Sequence, residues 1–156
     1  MENIFIEKGK ENEHGVGRPY NRKKLKIGDI RTLRIAEEYE KMGYKVLVRL
    51  GNNPGVDITV ISIPDGKIRK VIECTNYGNR SNYICEEDFE RYIETLTWYE
   101  DIQGIEMELV VSYLSNLNAE QLRECERNNI RIRVIGHQDL PRKEDEEQIE
   151  GWREDE

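Results

Sequence analysis

Two acidic residues lie in apolar stretches of the sequence, where a bare carboxylate would be costly. Asp57 follows the residues PGV, and Glu73 lies inside the stretch VIECT. A buried acid is unfavourable unless its charge is compensated, and one divalent cation can compensate two acids. Mg²⁺ binds carboxylate oxygens together with water and phosphate oxygens. The pair therefore predicts a site for Mg²⁺ or Mn²⁺ that could activate water beside a phosphate. The alternative is that each acid forms an ion pair with a neighbouring arginine or lysine.

The elements that would position this pair follow from apolar periodicity and turn residues. In chain order they are a short edge strand around Ile4 and Ile6, a helix over 30–42, strands over 44–50, 56–63 and 68–76, a helix over 86–102, a strand over 107–114, a helix after Asn118 and a strand over 130–135. Asp29 is expected to cap the first helix. The residues PDGK should turn the chain between two of the strands and form a hairpin. Asn118 and Gln121 match a capping box, and the last strand, helix and strand predict a parallel crossover.

The order α-β-β-β-α-β-α-β with a central hairpin resembles the core of the restriction-endonuclease-like fold, a mixed sheet flanked by helices. Between Gly28 and Ile135, the segments GYKV, GVDI and IECT make the chain similar to the PD-(D/E)XK nuclease superfamily. Type II restriction enzymes and archaeal Holliday-junction resolvases belong to that superfamily. The resemblance implies that Asp57 is the motif aspartate and Glu73 the second motif acid. It also implies that the Cys74 carbonyl assists them in holding the metal.

Thr75 departs from the family pattern, because it stands where the family has a lysine. A threonine hydroxyl can form a hydrogen bond but carries no positive charge. We expect a nearby base to supply the charge, either Arg80 or one of three bases on the strands. Those three are Lys45, Arg49 and Lys70. Loss of catalysis is the alternative.

Further site acids are expected from the helices, because the resemblance implies them. Related resolvases carry a glutamate in the first helix. This chain has three acids in that region, and none of them is assigned to that position: Asp29, Glu37 and Glu38. Other family members take an acid from the second helix, and Glu86 is our choice there. Favourable placement of acids at a helix N-terminus is the alternative for Glu86.

Charge is unevenly distributed along the chain, whose net charge is −8. The segment 137–156 holds nine acidic and three basic residues. By contrast, basic residues dominate 18–34: Arg18, Arg22, Lys23, Lys24, Lys26, Arg31 and Arg34. This basic shoulder could bind phosphates or be only a solvated arm, and Tyr77 in a following loop could stack on bases. We divide the chain into a polar and basic arm over 1–27, an α/β domain over 28–136 and an acidic tail over 137–156.

Composition narrows the class of protein. No apolar run is long enough to span a membrane, and residues 1–10 lack the pattern of a signal peptide, so we expect a cytoplasmic protein. Charged residues make up 36% of the chain, which is typical of the ion-paired surfaces of thermophile proteins. Three cysteines without a CxxC spacing and two isolated histidines favour neither a disulfide framework nor a histidine metal site.

These observations and the resemblance together predict a Mg²⁺-dependent nuclease that hydrolyses DNA. Double-stranded DNA is the expected substrate, a homodimer is the expected assembly, and no small-molecule cofactor is expected. Two other functions stay open. One is a non-catalytic DNA-binding or assembly module on the same scaffold, and the other is a protein-interaction domain whose acidic tail contacts a basic partner.

Overall fold

The part of the chain that the structure describes contains six strands and three helices, with three strands in succession between the first two helices. The computed structural model describes residues 3–7, 27–51, 55–75 and 82–136. The elements are β1 (Ile4–Glu7), α1 (Ile27–Lys41), β2 (Lys45–Arg49), β3 (Ile58–Ile61), β4 (Ile68–Cys74), α2 (Glu86–Thr97), β5 (Glu106–Val111), α3 (Ala119–Arg127) and β6 (Ile130–Val134), with a short 3-10 helix at Leu114–Asn116. The mixed α/β class predicted from the sequence is confirmed.

The strands form one sheet in the order β1-β2-β3-β4-β5-β6. β1 runs parallel to β2, β3 is antiparallel to both β2 and β4, and β5 and β6 continue parallel to β4. The predicted hairpin is therefore present as β3 and β4, and the predicted parallel crossover links β5 to β6. The C-terminal ends of β2, β4, β5 and β6 meet the N-terminal end of β3 at one edge of the sheet, which we call the carboxyl edge.

Helices cover both faces of the sheet. Helix α1 packs its residues Ile30, Leu33 and Ala36 on one face, in a cluster that includes Ile72 of β4. Helices α2 and α3 pack on the other face, in a cluster that includes Val71 of β4. Successive side chains of a strand point to opposite faces. Neighbouring residues of β4 therefore belong to different cores.

Two helix boundaries differ from the sequence prediction. Helix α1 begins at Ile27, so Asp29 lies in its first turn and is not its cap. Helix α2 ends at Thr97 and not near residue 102, because the chain passes through successive turns to Gly104, whose φ is 77°. Trp98 at that end is 83% exposed.

The capping box of α3 is confirmed. The Asn118 side chain accepts from the Gln121 N–H at 2.8 Å, and the Gln121 side chain accepts from the Asn118 N–H at 3.0 Å. In the part of the chain that the structure describes, no helix is both long enough and apolar enough to cross a membrane.

Candidate active site

Asp57 and Glu73 meet where β3 and β4 reach the carboxyl edge. Asp57 directly precedes β3, and its carbonyl accepts from the Arg49 N–H at 2.9 Å. Its Oδ2 atom accepts from the Cys74 N–H at 2.8 Å, and its own N–H donates to Oε1 of Glu73 at 3.1 Å. Each acid therefore accepts a backbone hydrogen bond from the opposite strand, and this fixes the pair in place.

Both carboxyl groups are shifted toward the protonated form. Burial raises the pKa of Asp57 to about 6, although the hydrogen bond from Cys74 opposes the change. Burial and the charge of Asp57 raise the pKa of Glu73 well above its usual range. The pair therefore releases its protons at higher pH than an ordinary pair of surface acids does.

The nearest described cations act on this pair only through their charge. Arg49 lowers the pKa of Asp57 in this way, but it donates to Glu7 at 2.9 Å and to the Val56 carbonyl at 3.1 Å. Arg91 likewise lowers the pKa of Glu73 while it pairs with Asp88 at 3.0 Å. Among the described residues, neither acid of the pair forms an ion pair with a lysine or arginine.

The donor set of the pair suits a hard divalent cation. Two adjacent carboxyl groups offer oxygen ligands, and their raised pKa values mean that a cation could replace their protons. Within the described ranges, no three His, Cys, Asp or Glu side chains are grouped closely enough to hold a metal ion. Mg²⁺ typically combines one or two carboxylates with water and substrate oxygens, and the pair would supply the carboxylates.

Cys74 is the last residue of β4, and Thr75 directly follows it, beside the acids. Thr75 is fully buried, its N–H donates to the Val110 carbonyl at 3.0 Å, and its carbonyl accepts from Arg31. Its hydroxyl has no hydrogen-bond partner among the described residues. Cys74 is buried on the α1 side, and burial raises the pKa of its thiol far above the usual range. Burial therefore disfavours the thiolate form of its side chain.

Helix α2 brings a different set of groups to the pair than the sequence predicted. The pKa of Tyr92 is raised to about 12 by burial, by the charge of Asp88 and by both acids of the pair. Glu86 instead lines a groove between α2 and α3, and it is not brought to the pair. Residues 88, 91 and 92 share one side of α2, and this i, i+3, i+4 spacing is the signal that could have identified them.

Among the three acids of α1, the structure brings only Asp29 toward the pair. Its charge raises the pKa of Asp57, and it accepts from the Gly51 N–H at 3.4 Å. Glu37 pairs with Lys41 at 3.6 Å, whereas Glu38 pairs with a side chain of β6.

The two lysines considered as replacements for the family lysine are placed elsewhere. Lys45 lies over the ring of Phe5, 4.9 Å from its centroid. Lys70 is buried and pairs with Glu108 at 3.0 Å. The remaining predicted site residues, namely Arg18, Arg22, Lys23, Lys24, Lys26, Tyr77 and Arg80, lie outside the described residues.

Comparisons with known proteins give one structural likeness. No protein-family model and no curated protein sequence matches the chain. Among solved structures, the chain is similar to a repair endonuclease from Pyrococcus abyssi, with 14% sequence identity and a TM-score of 0.45. The likeness covers 76% of this chain and 49% of that one, so the chain spans about half the length of that enzyme. Its activity is not carried over to this chain on that basis.

Proposed function

We propose that this chain is a metal-dependent nuclease that hydrolyses phosphodiester bonds of DNA. The observation that carries the proposal is the pair formed by half-buried Asp57 and buried Glu73, which lie side by side at the carboxyl edge without a basic partner among the described residues. Two adjacent acids whose charges are not compensated cost free energy in the folded state. Such an arrangement is typical of a functional site.

Asp57 and Glu73 are the residues that would hold Mg²⁺ or Mn²⁺. The ion, when bound, would supply an activated water and neutralise negative charge on the phosphate. The backbone N–H of Cys74 orients Asp57, and the N–H of Asp57 orients Glu73. Both acids must release their proton before they can act as ligands, so the chemistry favours pH values above the raised pKa of each, which for Asp57 is about 6.

A positive charge near the phosphate is expected from α2 or from β2, since Thr75 has none. Two arginines act on the pair through their charge, Arg91 of α2 and Arg49 of β2. Arg91 is the better placed, because its side chain is 62% exposed and its charge already acts on Glu73. Arg49 is only 18% exposed and is held by Glu7. Arg80 stays a further prediction for the same role.

The test is cleavage of linear and branched duplex DNA with and without Mg²⁺ or Mn²⁺. We expect metal-dependent cleavage by the wild type and a loss of at least about 100-fold in the Glu73→Gln and Asp57→Asn variants. The matched control is Glu126→Gln, which removes an exposed acid of α3. Retention of full activity by a folded Glu73→Gln protein would show that the site assignment is wrong.

A non-catalytic DNA-binding or assembly module is the second candidate, and Thr75 in place of the lysine favours it. Salt-sensitive DNA binding by the wild type without cleavage under any metal condition would select this alternative. Sedimentation analysis in the same buffers would test the expected homodimer.

A further inference from the structure

A second cluster of charged residues lies between α1 and the end of β6, apart from the acidic pair. It surrounds a pocket of about 300 Å³. Its lining includes Arg31, Arg34, Ile35, Glu38, Arg133 and Ile135. Three arginines and one glutamate are the charged residues of this lining, although the chain as a whole is acidic.

Arg31 is the buried part of this pocket. Only 4% of the residue is exposed. One of its terminal nitrogens donates to the Ser112 hydroxyl at 2.8 Å and the other to the Thr75 carbonyl. Its Nε–H has no hydrogen-bond partner among the described residues. The Ser112 hydroxyl and the Thr75 carbonyl are neutral. The buried positive charge of Arg31 therefore has no described acid to offset it. A buried cation in this state is costly unless an anion approaches it.

Arg133 forms the rim of the pocket. Its Nη2 atom pairs with Glu38 at 2.9 Å, and its side chain is 30% exposed. A guanidinium group has five N–H donors in a planar fork, and this pair uses one terminal nitrogen. Arg34 adds a third positive charge from the next turn of α1. The pocket therefore combines a fixed buried arginine with arginines that solvent-borne ligands can reach.

The location links the pocket to the carboxyl edge. Thr75 and Ser112, the partners of Arg31, directly follow β4 and β5, and Glu73 lies two residues before Thr75. Strands lie about 4.8 Å apart, so β6 is about 10 Å from β4 in the plane of the sheet. The pocket lies on the α1 side, whereas Glu73, like Val71, faces α2 and α3. A nucleic acid strand, which rises about 3.4 Å per nucleotide, would cross the carboxyl edge and span more than about three nucleotides between the two sites.

We propose that the pocket formed by Arg31, Arg34 and Arg133 binds a phosphate group, supplied by a nucleic acid strand that also passes the acidic pair. The guanidinium fork matches the geometry of phosphate oxygens, and such charge-assisted bonds are among the strongest in proteins. This inference rests on the proposed nuclease function, since it assigns the pocket to a phosphate several nucleotides from the one that is cleaved.

The experiment compares Arg34→Gln and Arg133→Gln with Arg69→Gln. Arg69 is a matched control because it pairs with Asp65 at the β3–β4 turn, at the opposite edge of the sheet. Binding of a fluorescent duplex is measured over a series of salt concentrations without divalent metal, so that no cleavage occurs. Calorimetry with inorganic pyrophosphate tests the pocket without DNA, and thermal unfolding checks that each variant is folded. Arg31 is left unchanged, because its buried contacts support the strand ends.

We expect both pocket variants to weaken duplex binding and to reduce the salt slope by about 1 each, while Arg69→Gln changes neither. Wild-type affinity and slope in both pocket variants would overturn the inference while leaving cleavage by the wild type, and so the proposed function, intact. Loss of pyrophosphate binding alone, with DNA binding unchanged, would overturn the nucleic acid source. If the wild type neither binds nor cleaves DNA but the pocket variants lose pyrophosphate binding, the proposed function fails and the phosphate pocket stands.

Discussion

At the scale of single residues, Asp57 and Glu73 depend on each other for their protonation. Burial raises the pKa of both, the charge of Asp57 further raises that of Glu73, and a backbone N–H from the opposite strand holds each in place. The desolvation and mutual repulsion of two such carboxylates destabilise the folded state.

The stability of the protein should fall as the pH rises through the range in which the pair titrates. An unfolded aspartate releases its proton near pH 4, whereas folded Asp57 keeps its proton up to about pH 6. Between these values the folded state binds more protons than the unfolded state, so raising the pH favours unfolding. The raised pKa of Glu73 extends this loss to higher pH.

We expect Glu73→Gln to remove much of that loss. The variant should match the wild type near pH 4 and be more stable at pH 8, by an amount on the order of 2 kcal/mol. Urea unfolding from pH 4 to pH 8 measures the difference, with Glu126→Gln as the control. Parallel stability curves for wild type and Glu73→Gln would mean that the titration of the pair does not cause the loss of stability with pH.

Thr75 offers a test of its unpaired hydroxyl. Thr75→Val removes a buried polar group with little change in volume, so we expect it to raise the free energy of unfolding by about 1 kcal/mol. Thr32→Val is the matched control, because the buried Thr32 hydroxyl donates to the Gly28 carbonyl at 2.8 Å. This control should lose about 1 kcal/mol. Equal destabilisation of both variants would show that the Thr75 hydroxyl has a partner.

At the scale of the elements, one buried ion pair joins neighbouring strands of the sheet. Lys70 of β4 pairs with Glu108 of β5 at 3.0 Å, and it also lies over the ring of Tyr39 on α1, 5.2 Å from the centroid. Both charged residues are less than 10% exposed. The pair therefore ties β4 and β5 to α1 on the face opposite α2 and α3.

Breaking this pair should be more costly than replacing it. Lys70→Met leaves Glu108 buried without its partner, and we expect a loss of about 3–5 kcal/mol. The double variant Lys70→Met, Glu108→Leu should recover most of it, because no charge remains buried. Lys41→Met, which breaks the exposed pair with Glu37, should cost less than about 1 kcal/mol. Chemical denaturation measures all three. A double variant as unstable as Lys70→Met would show that the charges stabilise the fold as a pair.

At the scale of the whole molecule, the distribution of charge matters more than the total. The segment 137–156 has a net charge of −6, so the rest of the chain carries −2 of the total of −8. A dense acidic segment repels phosphates over roughly a Debye length, about 10 Å at 0.1 M salt. The three arginines of the pocket lie next to the point where this segment begins, since Ile135 is part of the pocket lining.

Truncation after Gly136 should therefore tighten DNA binding several-fold at low salt, with a smaller effect at high salt. Fluorescence anisotropy with a labelled duplex measures the change. A full-length variant with the nine acids of the segment replaced by their amides is the control, and it should behave like the truncated protein. Unchanged affinity in both proteins would show that the segment does not act on DNA through its charge.

The sequence by itself determined the class of fold, most of the elements and the two central acids. Strand periodicity, the PDGK turn and the Asn118 capping box depend on residues a few positions apart, so they are visible before folding. An acid in an apolar run, as at Glu73, is visible for the same reason. Asp57 could be paired with it because a short turn places the two strands side by side.

Only the tertiary structure decided which other groups join them. Asp29 and not Glu37 or Glu38 approaches the pair, because that choice depends on how α1 rotates against the sheet. The pocket between α1 and β6 depends on Arg31 contacting Thr75 and Ser112, which lie 44 and 81 positions further along the chain. Contacts of that separation follow from the packing of whole elements, and the local pattern of residue types does not specify them.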